Sequence, residues 1–403
     1  MIISTTTGAL VAGSLMTGAT GFTAFQFIRS NGHLRTLQDV LAACNLCNKK
    51  KDGTPIPWKV VKSTKTPQGV RIALRYPLGK TFQDVTRQAD AINTAMGTEI
   101  AYGRDGNLLI LDIPEHPLPS YLSFSDRMME MVQGDWKFAV GLSSAGWVIH
   151  DFNERPMILL GGLTRSGKTE VIRSIIAQIF LGHKESEYEM VGVDMKPNAL
   201  EFRQFSTLWT ELASSPAEFL SLLYKLGKDM KDRADKLAAA GCTNVKQYER
   251  MTGETFKRRF VIVDEYGKSF GSEEEKDITN MMMQLTAMGA GLGVHIILCT
   301  QRPDAEVVSG KIRANMGTVI CMQVANGTQS RVILGHEGAE DLPEIPGRAI
   351  YQAYGKEWTV QTPFVSDKKM ERIIPKTRSI QPVRIAKGDI EPPRDNHVRL
   401  QPE

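Results

Sequence analysis

Cysteine is scarce in this sequence of 403 residues, and the cysteines that are present form no recognisable set. The five of them are scattered from Cys44 to Cys321, which excludes a disulfide framework and indicates a catalytic region in the reducing cytoplasm. Cys44 and Cys47 have the spacing of a zinc-ligand pair, but no second pair follows and only His33 lies nearby. Because structural zinc takes four ligands, the sequence does not favour a metal site there.

A strong excess of either charge is also missing. The formal net charge is only +4, so any contact with nucleic acid is expected to be local, in loops or a pore lining. Hydrophobic residues make up 42% of the chain and charged residues 23%, which is typical of folded domains rather than of disorder. The length predicts two or three structural units.

Charged side chains are absent from residues 1–28, where apolar residues alternate with Gly, Ala, Ser and Thr. The run is long enough to cross a bilayer and is a candidate transmembrane helix. A buried or interfacial helix is the alternative, because the threonines and glycines dilute the hydrophobicity. Arg29, Arg35 and Lys49–Lys51 follow the run, which predicts a single-pass protein of the cell membrane with its bulk in the cytoplasm. A soluble cytoplasmic protein is the other prediction, and a cleaved signal peptide is disfavoured because a charged start is missing.

The remainder divides into four predicted segments. Residues 29–54 are a linker or helix, and residues 55–125 are a small α+β domain without a catalytic constellation. In that domain we predict strands at "WKVVKST" and "VRIALRY", one helix from Phe82 to Met96, and a hairpin in "TEIAYGRDGNLLILDIP". Residues 126–365 contain all the motifs with recognisable chemistry, and residues 366–403 are a charged, proline-containing tail.

The stretch "GGLTRSGKTE" matches the phosphate-loop pattern G-x-x-x-x-G-K-[ST]. The apolar run "PMILLGG" before it predicts a buried parallel strand, and "EVIRSIIAQIFLG" after it predicts a helix, which is the context that the pattern requires. We expect Lys168 to reach the β- and γ-phosphates of ATP and the Thr169 hydroxyl to bind Mg²⁺. The predicted nucleotide-binding residues are Gly162, Leu163, Thr164, Arg165, Ser166, Gly167, Lys168, Thr169 and Glu170.

Two further apolar runs end in polar residues. "RRFVIVDEYG" ends in Asp264 and Glu265, a pairing in which the first carboxylate holds magnesium and the second polarises the attacking water. "GVHIILCTQRP" ends in Gln301, which has the chemistry to sense the γ-phosphate. These residues are predicted to meet Lys168 at one edge of a parallel sheet, which favours ATP hydrolysis.

The order of these motifs, with "VGVDMKPNALEF", "TQRP" and the "SR-x-IL" segment, resembles the FtsK/SpoIIIE family of DNA-pumping motor ATPases from about residue 130 to 362. The resemblance implies a RecA-like α/β motor domain with a mostly parallel sheet. It further implies a ring, usually a homo-hexamer, that threads double-stranded DNA and hydrolyses ATP at subunit interfaces. Residues 58–113 also look like the small domain that precedes this motor.

The resemblance also implies an arginine that reaches the nucleotide of a neighbouring subunit. Arg233, Arg313 and Arg331 lie in matching segments, and the sequence does not choose among them. Asp194 and Lys196 correspond to an aspartate, proline, lysine segment of the family, although Met195 replaces the proline, so their role stays open.

Some departures from the family pattern bear on the biological role. Arg165 stands where the family has a small residue, and Glu170 is more similar to conjugation and type VII secretion motors. The segment after Val365 is too short for the winged helix of the chromosome pumps. These features predict a compact coupling protein that passes plasmid or conjugative-element DNA, often with a bound relaxase, to conjugation channel proteins. A type VII-like protein-secretion ATPase and a regulatory nucleotide-binding module are the alternatives.

Contacts with DNA are expected to be independent of base sequence. "YGKSFGSEEEKD" offers Lys268 and Ser269, and "GCTNVKQYER" offers Lys246, as donors to phosphates of the DNA backbone. An ordinary solvated surface is the alternative for these side chains.

Overall fold

A computed structural model describes residues 37–374 except 67–68, 116, 133–135, 197–198, 204, 206, 302–307 and 309. The candidate transmembrane helix and residues 375–403 lie outside these described residues. Within the described ranges, no helix has the length and apolar character needed to cross a membrane.

The chain forms two compact units. The small unit contains the described residues up to Leu122 together with Gly141–Val148 and Trp358–Gln361. The large unit contains Ser123–Val140, Ile149–Glu357 and the described residues from 362 onward.

The small unit is built on a four-stranded antiparallel sheet in the order β3-β4-β6-β5. Both predicted hairpins are confirmed. The prediction of one helix from Phe82 to Met96 is wrong, because a capping box at Thr81 starts one short helix and a second starts after Gln88. The elements of the small unit before Leu122 are α1 Leu37–Ala43, β1 Asn48–Lys49, β2 Pro55–Ile56, β3 Lys59–Thr66, β4 Gly69–Arg75, α2 Phe82–Thr86, α3 Ala89–Met96, β5 Ala101–Asp105 and β6 Leu108–Pro114.

Trp58 is the largest side chain in the buried core of the small unit. Its side chain is 2% exposed and its indole N–H donates to the Leu46 carbonyl over 3.2 Å. The buried Gln38 amide makes two hydrogen bonds with the Trp58 backbone, at 2.8 and 3.0 Å. Helix α1 is thereby fixed to the strand pair that follows it.

A ten-stranded sheet has the order β11-β10-β12-β13-β9-β14-β15-β16-β7-β8. Neighbours from β11 to β14 run parallel, and β15 is antiparallel to β14. The strands are β7 Lys137–Ser143, β8 Gly146–Asp151, β9 Met157–Gly161, β10 Tyr188–Asp194, β11 Glu211–Ala213, β12 Arg258–Asp264, β13 Val294–Thr300, β14 Thr318–Met322, β15 Arg348–Ala353 and β16 Lys356–Gln361.

The central parallel strands are buried along their whole length, as expected for a sheet covered on both faces. The helices of the large unit are α4 Asp126–Val132, α5 Lys168–Gly182, α6 Leu200–Arg203, α7 Pro216–Ala239, α8 Val245–Thr252, α9 Glu275–Leu292, α10 Gly310–Asn315, α11 Gly327–Leu334 and α12 Asp367–Ile373. The predicted fold class is confirmed: a mostly parallel α/β sheet preceded by a small α+β unit.

Strand β13 lies between β9 and β12. The three strands are parallel, so their carboxyl ends meet at one edge of the sheet. The phosphate loop follows β9, the two adjacent carboxylates end and follow β12, and Gln301 follows β13. The topology therefore brings the three sequence motifs together.

Helix α12 was not predicted from the sequence. It packs against α5, the helix that follows the phosphate loop, with Met370 and Ile373 buried. An ion pair of 2.6 Å joins Arg173 of α5 to Asp367 at the start of α12.

Candidate nucleotide-binding site

The phosphate loop joins β9 to α5 and depends on glycine backbone geometry. Gly162 and Gly167 have φ angles of 147° and 110°, values that strongly favour glycine. A Cβ atom at Gly167 would lie 2.7 Å from the backbone nitrogen of Gly347. Gly167 is the N-cap of α5 and supplies no side chain to the first backbone N–H groups of that helix. These N–H groups form the kind of helix amino terminus that binds phosphate.

Neighbouring strand ends hold this loop in place. The Leu163 N–H donates to the Gln323 carbonyl after β14, and the Gly347 N–H before β15 donates to the Ser166 carbonyl, both over 2.8 Å. The Ser166 hydroxyl closes the loop by donating to the Leu163 carbonyl over 2.7 Å. The loop is therefore fixed by backbone hydrogen bonds on two sides.

Lys168 is buried under the loop that it follows. Its ammonium donates to the carbonyls of Gly162 and Leu163 at 2.8 and 2.5 Å. Burial lowers the pKa of this lysine, while Glu265 and Asp264 act in the opposite direction. The ammonium thus lies close to the position where the loop would hold phosphates.

Asp264 ends β12 and is paired with a lysine that follows the end of the neighbouring strand β10. The Lys196 ammonium lies 2.9 Å from Asp264 Oδ2, and the two side chains are 19% and 4% exposed. Asp194, at the end of β10, lies in register with Asp264 and accepts a hydrogen bond from the Lys196 backbone N–H over 3.0 Å. The residues whose role the sequence left open thus belong to the site.

Glu265 has a left-handed backbone, with φ 61°, which is uncommon for a residue with a side chain. Its Oε1 atom is buried and has no hydrogen-bond partner in the described part of the chain. Burial and, secondarily, the Asp264 charge raise the pKa of this carboxyl group. A carboxylate with a raised pKa is better suited to accept a proton.

Gln301 contacts the phosphate loop directly. The Thr164 hydroxyl donates to Gln301 Oε1 over 2.6 Å. This contact links the end of β13 to the loop, so Gln301 lies beside the segment that would hold the phosphates.

The remaining residues of the phosphate-loop motif have different surroundings. Thr169 is half-buried in the first turn of α5, and Arg165 is exposed with φ 65°. Glu170 lies 3.6 Å from Arg173, and both residues belong to α5.

The residues that would hold Mg²⁺ fit that ion by their chemistry. Mg²⁺ keeps several waters and takes one or two protein oxygens together with substrate phosphates. Thr169 and Asp264 supply a hydroxyl and a carboxylate of this type. The described residues contain no group of three or more acidic, histidine or cysteine side chains that would bind a metal without phosphate.

The three candidate arginines are not equivalent. Arg233 is buried and donates to Asp229 over 2.8 Å and to the carbonyls of Lys257 and Leu292 over 2.9 and 3.0 Å. Burial lowers its pKa. The sequence left Arg233 as one of three candidates for reaching a neighbouring subunit, and in the structure its guanidinium is engaged inside its own unit.

Arg313 and Arg331 remain accessible to different degrees. Arg313 is half-buried and donates to the Ile333 carbonyl over 3.2 Å. The Arg331 side chain is 57% exposed and ion-paired with Glu337.

The residues predicted to contact DNA differ in their exposure. Ser269 is 1% exposed and its hydroxyl donates to the Tyr266 carbonyl over 2.8 Å, which contradicts the prediction of a phosphate contact at this residue. Lys268 and Lys246 are exposed. Only the two lysines of this set are available to an external partner.

These features define a class. The chain is an α/β protein of the P-loop type, with a phosphate loop, a carboxylate pair and a glutamine at the ends of three adjacent parallel strands. Residues 130–350 match the model of the FtsK/SpoIIIE family. Because this match spans more than half of the chain, the chain belongs to that family, and the resemblance in the sequence is confirmed.

Curated relatives bear the name DNA translocase FtsK. The protein from Mesorhizobium japonicum is 28% identical over 332 residues, which cover 72% of this chain and 36% of the relative. The protein from Halalkalibacterium halodurans is 31% identical over 240 residues, covering 56% of this chain and 30% of the relative. The chain thus spans about a third of the length of the curated relatives it matches.

Solved structures with a similar fold include the pCW3 conjugation coupling protein TcpA, in a monomer form with ATPγS. It has a TM-score of 0.59 and 21% identity, with 84% of this chain and 97% of that chain covered. The cytoplasmic domain of the type VII secretion ATPase EccC from Thermomonospora curvata has a TM-score of 0.52 and 21% identity, with 65% and 33% covered. At these identities the likeness concerns the fold.

Proposed function

We propose that this chain is an ATP-driven DNA translocase that works as a ring and contacts double-stranded DNA without preference for base sequence. The observation that carries the proposal is the meeting of Lys168, Asp264, Glu265 and Gln301 at one edge of the sheet, in a chain of the FtsK/SpoIIIE family. A homo-hexamer, a relaxase and conjugation channel proteins are the proposed partners. The proposed role is that of a membrane-associated coupling protein for plasmid or conjugative-element DNA.

In the proposed reaction, the loop amides and Lys168 hold the phosphates of ATP. Glu265 accepts a proton from water as the water oxygen attacks the γ-phosphorus, and ADP leaves. Thr169 and Asp264 would hold Mg²⁺, which would neutralise charge on the phosphates. Gln301, through Thr164, couples the loop to the end of β13.

Two contacts with other molecules complete the proposal. Arg313 or Arg331 would stabilise the charge that develops in the nucleotide of a neighbouring subunit. Lys268, which follows directly after the carboxylate pair, and Lys246 would contact phosphates of the DNA backbone. Lys268 is three residues from Glu265, and its backbone N–H donates to the Glu265 carbonyl over 2.9 Å, so a DNA contact there would act next to the proposed catalytic base.

The test is ATP hydrolysis by the full chain with and without linear duplex DNA of unrelated sequences. We expect strong stimulation by every duplex, and loss of hydrolysis in Lys168→Ala. A Lys225→Ala variant, which removes an ion pair with Glu211 outside the site, should behave like the wild type.

Hydrolysis that is indifferent to DNA, under conditions where the chain forms rings, would contradict the translocase. A dependence on a peptide signal segment in place of DNA would support the protein-secretion alternative.

A further inference from the structure

Lys196 places a positive charge on the carboxylate that is proposed to hold magnesium. Its ammonium lies 2.9 Å from Asp264 Oδ2, and Asp264 is almost completely buried. The proposed reaction uses Lys168 for the phosphates and gives no task to this second lysine. Its position inside the site therefore needs an explanation.

The backbone before Lys196 is fixed by Asp194. One carboxylate oxygen of Asp194 accepts from the Lys196 N–H over 3.0 Å, and the other accepts from the Phe202 N–H over 3.1 Å. Asp194 is fully buried at the end of β10 and lies in register with Asp264 on β12. The turn that carries Lys196 is therefore anchored at the end of the strand next to Asp264.

Charges of both signs surround the end of β12. Asp264 and Glu265 carry two carboxylates, and Lys168 donates to two carbonyls of the phosphate loop. Lys196 lowers the pKa of Glu265, while Asp264 raises it. The Lys196 ammonium thus contacts the carboxylate beside which Mg²⁺ would bind.

We propose that Lys196 is an internal counterion that competes with Mg²⁺ for Asp264. Without the metal, Lys196 neutralises Asp264 and shields an incoming triphosphate or diphosphate from the carboxylate. When Mg²⁺ enters with the nucleotide, Lys196 leaves Asp264. This inference rests on the nucleotide site of the proposed function and not on its DNA substrate.

The competition has two consequences of opposite sign. In a Lys196→Met variant the bare Asp264 repels metal-free nucleotide, so affinity measured without Mg²⁺ falls. The same variant gives Mg²⁺ free access to Asp264, so affinity measured with Mg²⁺ is kept or rises. We therefore expect the dissociation constant without Mg²⁺, divided by the dissociation constant with Mg²⁺, to increase about tenfold or more. The reason is that leaving one charge of a largely buried ion pair without its partner is strongly unfavourable.

The experiment titrates the full chain with a fluorescent ADP analogue, once with excess EDTA and once with excess magnesium chloride. Lys196→Met and Lys196→Gln are compared with Lys196→Arg, which keeps the positive charge and should keep the wild-type ratio. Lys225→Met is the matched control, because it removes a lysine from an ion pair of 3.2 Å with Glu211 outside the site. Circular dichroism confirms that each variant is folded.

The decisive test repeats the Lys196→Met substitution in an Asp264→Asn variant. With the carboxylate gone, Lys196→Met should no longer change the ratio. An equal change of both dissociation constants in Lys196→Met and Lys196→Gln would overturn the competition and leave Lys196 a purely structural residue. If the wild-type chain binds no nucleotide under either condition, the proposed function itself fails.

Discussion

The four-stranded sheet of the small unit and the parallel strands of the large unit use polar residues in different ways. Of the eight residues of β3, only Val60 and Ser63 are buried, whereas all seven residues of β13 are buried. In the small sheet, ion pairs such as Arg71 with Asp112 lie on the strands themselves. In the parallel sheet, buried on both faces, polar side chains collect at the strand ends.

This difference explains why the chemistry lies at one edge. A strand that is covered on both faces has no room for charged side chains along its length. Such groups are accommodated at the strand ends, as at the amino ends of β10 and β12, where Glu189 pairs with Arg259. The carboxyl ends of adjacent parallel strands lie side by side in the same way and are followed by the loops that carry the site. The small sheet has exposed positions but no such convergence of its strand ends.

The largest effect is expected at the nucleotide-binding site of the parallel sheet. Glu265→Gln should lower the rate of ATP hydrolysis by about 100- to 10,000-fold, the range associated with loss of a general base. Arg71→Ala in the small sheet should leave the rate unchanged, because its ion pair with Asp112 is half exposed. Steady-state hydrolysis at saturating ATP measures both, and equal losses in the two variants would contradict the assignment of chemistry to the parallel sheet.

Substitutions in the two cores test whether the two units have separate stabilities. Phe260→Ala in β12 and Trp58→Ala beside β3 each remove a fully buried aromatic side chain and should cost about 3–5 kcal/mol. Hydrogen exchange is expected to accelerate in the parallel strands for Phe260→Ala and in β3 to β6 for Trp58→Ala. Equal acceleration everywhere in either variant would mean that the two units unfold as one.

The smallest effect concerns pH. His150 and His295 are buried in the large unit, and burial lowers their pKa, to about 3 for His150. Both are neutral when folded and take up a proton when unfolded. Stability is therefore lost as the pH falls below about 6.5, by up to about 1.4 kcal/mol per pH unit for each histidine.

Urea unfolding of the full chain at a series of pH values checks this expectation. His295→Phe, which suits the neighbouring rings of Phe152 and Phe260, should reduce the slope of stability against pH. The described part of the small unit contains no histidine, so its own unfolding should depend less on pH in this range. An unchanged slope in the variant would count against His295 as a source of the effect.

Local sequence patterns were sufficient to predict much of the fold and of the candidate site. The apolar run, phosphate loop and helix around Lys168 are contiguous in sequence, and the strand that ends in Asp264 has an uninterrupted apolar pattern. Their meeting at one edge could be predicted because parallel strands share an edge. The order of the strands, with β13 in the middle, depends on long-range pairing that one sequence does not specify.

The errors have physical causes as well. Apolar spacing from Phe82 to Met96 continues across the break between α2 and α3, so periodicity alone does not reveal two helices. Arg233 is a candidate because its segment matches the family, and Ser269 because it follows the carboxylate pair. Inside the fold, backbone carbonyls accept hydrogen bonds from both side chains, which a motif match does not reveal. The pairing of Lys196 with Asp264 joins the turn after β10 to the end of β12, and no local signal in the sequence indicates it.

The backbone hydrogen bonds that join Gln323 and Gly347 to the phosphate loop have a thermodynamic consequence. Because these bonds and the glycine geometry order the loop when the chain folds, its conformational entropy is lost before any ligand arrives. Nucleotide binding then requires little additional ordering of this segment, and release does not require it to melt. A site prepared in this way is suited to rapid, repeated exchange of its ligand.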